Sequence, residues 1–197
     1  MPCSRWSVIK SHAALLLGVL AVMWAVELVD FVLPFVDLDR FGIRPRSVAG
    51  LAGILFAPFL HGGFGHLVAN SLPLLALGGM VLLGGDRVFR RVSLWVVLCG
   101  GFGVWLLGRG NSVHIGASLL VFGYLGFLLS RGIAERSGTW VLVSIVVLLV
   151  YGGALYGLLP GRPGVSWLGH VCGFVAGVSA AWLMFPKGGR MFEKPAG

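Results

Sequence analysis

Residues 47–85 contain no Asp, Glu, Lys or Arg. Further uncharged runs lie at 11–26, 92–108, 110–130, 137–161 and 163–186. A helix crossing a bilayer needs about 20 apolar residues, with a range of about 17–25. Runs of that length leave too little charge to clothe a soluble domain. The chain is 57% hydrophobic and only 11% charged, with a mean hydropathy of +0.94. Soluble domains carry about 25% charged residues. An all-α membrane protein folded as a single bundle over residues 1–197 is the expectation.

The charges delimit the helices. The first run must continue past Glu27 to about Val36 to cross. The 47–85 run is too long for one helix and holds "HGGFGH" in its middle. It divides into an irregular, membrane-hugging loop ending near Phe64 and a helix beyond it. The expected helices are about 12–36, 65–83, 91–108, 116–130, 139–158 and 166–185, six in all. The short basic N-terminus followed by apolar residues from Ala13 has the look of a signal peptide. No A-x-A-like site follows, whereas Trp24, Glu27 and Asp30 do, so the segment reads as a retained first helix.

The net charge of +8 follows topology rather than a nucleic-acid partner. With the N-terminus inside, the inner segments hold Arg5, Lys10, Arg87, Arg90, Arg91, Arg131, Arg136, Lys187, Arg190 and Lys194. The outer segments hold Arg40, Arg44, Arg46, Arg109 and Arg162. Basic residues favour the cytoplasmic side, which puts both termini in the cytoplasm and the inner basic residues against anionic lipid. Cys3, Cys99 and Cys172 are scattered and make neither a disulfide framework nor a metal-ligand cluster. No metal or cofactor is implied, since the chain has no Cys/His ligand spacing.

In this topology helices two, four and six all run inward from the outer face, and each begins with unusual polar residues. "HLVAN" sets His66 and Asn70 four residues apart on one helix face. Ser118, Phe122 and Gly126 share a face of helix four at i, i+4 and i+8. "GHVCGFVAG" sets His170, Gly173 and Gly177 on one face of helix six at i, i+3 and i+7. Small residues let neighbouring helices approach closely. A contact through Gly126, Gly173 and Gly177 can therefore bring Ser118 and His170 within hydrogen-bond reach. Serine is a weak nucleophile until a base takes its proton, a role that neutral histidine suits. Phe122 can hold the imidazole by packing on it.

Residues 116–130 span roughly 22 Å at 1.5 Å per residue, against a hydrocarbon core of about 30 Å. Ser118 then lies below the outer surface beside a wet cavity, which hydrolysis requires. The N–H groups at a helix start favour developing negative charge. Ser118 sits in such a first turn, and His66 and Asn70 can add donors. Glu27 and Asp30 are the only intramembrane acids available as a third member, and pairing or outer-side water accounts for them better, so the expectation is a Ser–His dyad. Cys172 points about 200° away from His170 and is no nucleophile. His61 and His114 read as structural or interfacial. Taken singly, each of these residues has an ordinary structural role. The four polar groups at one depth are what point to a site.

The motifs "HGGFGHLVAN", "GAS" and "HVCGFVAG", in that order over residues 61–177, resemble those of the rhomboid intramembrane serine proteases. "GIRPRSVAGLAGILFAPFLHGGFGHL" is similar to loops of bacterial members. The resemblance implies a six-helix rhomboid-like bundle with a partly embedded first loop over 37–60, and helix five as a lateral gate. It implies Ser118 as nucleophile, His170 as general base, and His66, Asn70 and the Ser118 N–H as oxyanion hole. Gly116 belongs to its nucleophile motif. Its substrates would be transmembrane proteins cut near the outer end of a helix, at small, helix-destabilising residues, in a bacterial plasma membrane. One position departs from the family's Gly-x-Ser-Gly: Leu119 replaces the last glycine. Leu119 either turns away from Ser118 or crowds it. The second case would leave a catalytically impaired rhomboid-like protein that binds or sorts membrane clients. A small transporter is disfavoured because no charged residue lies deep in helices two to six.

Overall fold

Helix formation satisfies every backbone group within its own segment, which lipid demands. The apolar runs accordingly fold as helices. The computed structural model describes residues 5–33, 35–161 and 164–186, with side chains from Ala14 onward. The helices are α1 (Arg5–Val32), α2 (Val48–Phe56), α3 (Phe64–Leu82), α4 (Asp86–Trp95), α5 (Gly101–Leu107), α6 (Ser118–Ala134), α7 (Gly138–Tyr151) and α8 (Trp167–Met184). A π turn, Val96–Gly100, joins α4 to α5, so the pair crosses as one span from Asp86 to Leu107. Single 3₁₀ segments occupy Asp39–Phe41, Ala57–Phe59 and Gly152–Leu158. No strand forms among the described residues, and one isolated bridge pairs Ile43 with His114. The fold is an all-α bundle of apolar helices.

Several boundaries differ from the sequence expectation, two of them for reasons visible in the structure. The first helix ends at Val32, because Asp30 Oδ1 accepts the Leu38 N–H at 2.8 Å and turns the chain back. The third span begins at Asp86. The amphipathic stretch "DRVFRRVSLW" buries Phe89 and Val92 and leaves Arg87, Arg90 and Arg91 exposed.

Among the described residues, five helices or joined helices are long and apolar enough to cross a membrane, α7 doing so together with the 3₁₀ segment that continues it, Gly138–Leu158. The sixth, α6, has only 17 residues, about 26 Å at the α-helical rise. It is also the most enclosed, with every residue from Leu119 to Leu128 buried. It stands at the centre, touched by α3, α4, the π turn, α7 and α8. By contrast α7 buries only Val147 and turns Leu142, Leu148, Leu149 and Val150 outward. Short α2 likewise presents Val48, Leu51, Leu55 and Phe56 to the surroundings.

Glycine makes the central contact. Gly173 lies against the Leu119 carbonyl, Gly177 against the Gly123 carbonyl, and Gly126 against the Phe174 carbonyl. A Cβ at any of the three would collide with backbone, so α6 and α8 meet main chain to main chain. Gly123, which the sequence reading had not singled out, also leaves room for Val96 of the π turn. At the other end of α6, Arg131 is fully buried. Its Nε donates to Glu135 Oε2 at 2.7 Å, and its guanidinium lies 3.4 Å above the Trp140 ring. Arg131 therefore fastens α7 and α8 to α6 rather than facing water.

Gly177→Ala should destabilise the bundle by about 1–3 kcal/mol or more, the cost of overpacking. Gly79→Ala, where a Cβ meets nothing within 4 Å, should be neutral or stabilising by up to about 1 kcal/mol. Thermal unfolding of both variants in one detergent checks the contrast.

Candidate active site

Ser118 is the first residue of α6, with Ala117 as its N-cap. The N–H groups of a first helical turn have no intrahelical acceptor, so this turn offers donors to a ligand. The approach is held by neighbouring chain: Gly116 N–H donates to Ala57 O at 2.9 Å, and Ala117 N–H donates to His61 Nε2 at 3.3 Å. Gly116 has φ +106°, and the imidazole of His66 abuts it. A Cβ there would stand 2.8 Å from His66 Nε2. Glycine is required at this position on both counts.

Asn70, one turn along α3 from His66, donates through Nδ2 to His66 O at 3.0 Å. An amide nitrogen carries two protons, which leaves one for another acceptor. His170, in the first turn of α8, is buried. Its ring stacks on Phe122 with centroids 4.1 Å apart and planes 11° apart. Its Nδ1 lies 2.9 Å from Gly157 O. A carbonyl only accepts, so Nδ1 carries the proton and Nε2 keeps its lone pair. His66, Asn70, Ser118, Phe122 and His170 line one cavity of about 550 Å³. No hydrogen bond joins Ser118 to His170, although both line the same cavity. Gly126, Gly173 and Gly177 lie in the α6–α8 seam below. The described residues contain no cluster of three or more His, Cys, Asp or Glu suited to a metal.

Leu119 is buried, and its carbonyl is covered by Gly173. Its Cδ1 lies 3.4 Å from the point a Cβ on Gly100 would occupy. The side chain therefore runs toward the π turn, and it is absent from the wall of the 550 Å³ cavity.

The sequence reading gave three residues no part in the site. Gly157 acts through a carbonyl, which any residue supplies. His61, read as structural or interfacial, has a structural part: it accepts the Ala117 N–H beneath the Ser118 turn. Ser166 accepts the Gly169 N–H through Oγ at 3.2 Å and caps α8. A serine just before an apolar run is a capping signal that could have found it.

Burial, with the neighbouring His66 imidazole adding to it, pushes the His61 pKa down to about 4. The folded value lies below the ordinary 6.5, so the unfolded chain binds the proton first as pH falls. The contribution is fully present above about pH 6.5 and is lost progressively toward pH 4, amounting to about 3 kcal/mol. His61→Gln keeps an acceptor for Ala117 and does not titrate. A pH series of melting temperatures should show a shallower acid-side decline in His61→Gln than in wild type.

A family model for the rhomboid domain matches residues 49–187. An uncharacterised protein of Mycobacterium tuberculosis is 44% identical over 188 residues, covering 91% of this chain and 77% of the relative. RHOMBOID-like protein 4 of Arabidopsis thaliana is 34% identical over 137 residues, covering 66% of this chain and 33% of the relative. Rhomboid-type serine protease 2 of Emericella nidulans is 32% identical over 129 residues, covering 61% of this chain and 24% of the relative. No solved structure matches. The matched span takes in α3 through α8, including the whole cavity, and the chain belongs to the rhomboid family, the intramembrane serine proteases.

Proposed function

We propose that the chain is an active intramembrane endopeptidase with Ser118 as nucleophile and His170 as general base. The observation that carries the reading is the state of His170. It is clamped on Phe122 and fixed by Gly157 O so that Nε2 is the free base. It shares its cavity with a serine at a helix N-terminus. His170 Nε2 takes the Ser118 proton as Oγ attacks the scissile carbonyl carbon. The oxyanion is held by the Ser118 N–H, Asn70 Nδ2 and His66. The new imidazolium returns its proton to the departing amine, and the C–N bond breaks. Water, deprotonated by the same nitrogen, then hydrolyses the acyl-serine and restores Ser118. Catalytic hydrogen bonds are often long in a free enzyme and tighten on binding, which accounts for the open Ser118–His170 pair.

Substrates on this reading are transmembrane proteins, reached laterally and cut near the outer face. The mycobacterial relatives support a bacterial plasma membrane, and the distribution of basic residues supports cytoplasmic termini. The course of Leu119 favours an active enzyme over a client-binding relative, because its Cδ1 runs toward Gly100 and the residue stays out of the wall of the 550 Å³ cavity, meeting Ser118 only in a separate void of about 20 Å³.

A fluorophosphonate probe should label wild type in detergent and leave Ser118→Ala unlabelled. His170→Ala should label at least 10²-fold more slowly, the usual worth of a general base. Leu119→Gly should gain less than tenfold. A larger gain would make Leu119 an obstruction, and labelling that survives Ser118→Ala would end the dyad reading.

A further inference from the structure

His114 lies outside the dyad and its oxyanion donors, yet it ties its own segment to two others. Its backbone exchanges hydrogen bonds with Ile43 of the first loop, at 2.9 Å in each direction. Its Nδ1 is 2.6 Å from Ser166 Oγ, the cap of α8. Its Nε2 is 2.9 Å from Ser112 Oγ, in the segment leading to Ser118. It also forms part of the wall between the catalytic cavity and an outer groove of about 810 Å³.

The proton positions along this chain follow from its ends. Ser112 Oγ gives its proton to Arg109 O at 2.7 Å, so it accepts from His114 Nε2–H. Nδ1 is then bare and accepts from Ser166 O–H. Ser166 Oγ in turn accepts the Gly169 N–H. The order is Gly169 N–H to Ser166, Ser166 O–H to His114, His114 Nε2–H to Ser112, and Ser112 O–H to Arg109 O. Every donor is used once. A neutral imidazole satisfies this order, and burial pushes the His114 pKa below its ordinary value. Gly108 provides the room, since a Cβ there would stand 3.0 Å from His114 Nε2.

We propose that His114 is a positioning residue of the active site. Its imidazole is a two-ended strut that sets the distance between the nucleophile segment and the α8 turn carrying His170. The proposal rests on the dyad reading for its catalytic consequence but not for its geometry. Ser166 O also accepts the His170 N–H at 3.1 Å, so displacing Ser166 moves the base directly. Without the strut, α6 and α8 still meet through their glycines, but the first turn of α8 is free to rotate away from Ser118.

The test combines three readouts on protein labelled with ¹⁵N-histidine in detergent. Nitrogen shifts of wild type should report His114 neutral, protonated on Nε2 and bare on Nδ1. The opposite tautomer would overturn the proposal. His114→Phe, which keeps the ring volume, and Ser166→Ala should each slow the fluorophosphonate labelling rate of Ser118 about tenfold, the worth of one hydrogen bond. Both should speed amide exchange at Gly169–Cys172. The double variant should be no slower than the worse single one, and Ser166→Thr, which keeps the hydroxyl, should restore the wild-type rate. Rates rather than extents are compared, so loss of folded protein does not imitate the effect. Multiplying single effects, or unchanged exchange in His114→Phe, would sink the strut. Faster exchange in the variants of a wild type that never labels would uphold the strut and strike the protease reading instead.

Discussion

The main-chain contact between α6 and α8 is the constraint from which the rest of the molecule follows. In lipid, helices gain nothing from hiding apolar side chains, because the tails are equally apolar. Association depends on close packing, and closeness depends on how small the interface residues are. Gly173, Gly177 and Gly126 bring each helix onto the other's carbonyls. That spacing places the first turn of α8 beside the first turn of α6. Ser118 and His170 occupy those turns, so the seam that holds the bundle also aims the candidate chemistry.

The shortness of α6 is the second consequence. A helix of 17 residues covers only part of the hydrocarbon thickness. Its N-terminal turn must therefore sit below one surface, with irregular chain above it. Such chain is tolerated only where protein or water satisfies its polar groups. The structure supplies protein partners and an open cavity. His61, Ala57 and Ile43 take the backbone of residues 114–117, and a cavity of about 550 Å³ opens over the serine. Stability and access to water have one origin here: a helix too short to cross, held at the centre by longer ones.

Much of this was legible in the sequence, and the limits have physical causes. The helices were readable because charge is expelled from lipid, leaving uncharged runs as the record. The i, i+4 pair His66 and Asn70 and the i, i+3, i+7 set His170, Gly173 and Gly177 were readable because a helix repeats every 3.6 residues. Side-chain identity cannot reveal backbone partners. The Gly157 carbonyl that sets the His170 tautomer has no sequence signature. Neither does the π turn at Val96–Gly100, whose Val96 sits beside Gly123. Arg131 was misread for a related reason. A lone arginine at the end of an apolar run looks like a membrane-edge charge, and only the tertiary structure puts Glu135 and the Trp140 ring around it.

Leu119 shows how such hidden features decide a local question. Judged beside Ser118 alone, exchanging a glycine for leucine adds bulk to a packed site. Adjacent residues on a helix diverge by about 100°, and the direction Leu119 takes leads to the π turn. A π turn carries one extra residue in the helix, which displaces the following backbone. Gly100 at its end has no side chain to fill the space that remains. The Leu119 Cδ1 comes to rest there, 3.4 Å from the missing Cβ position. Bulk at Leu119 and its absence at Gly100 on the facing span are thus two halves of one packing contact. The space that Leu119 occupies is left open on the α4–α5 span, a region that lies outside all three motifs.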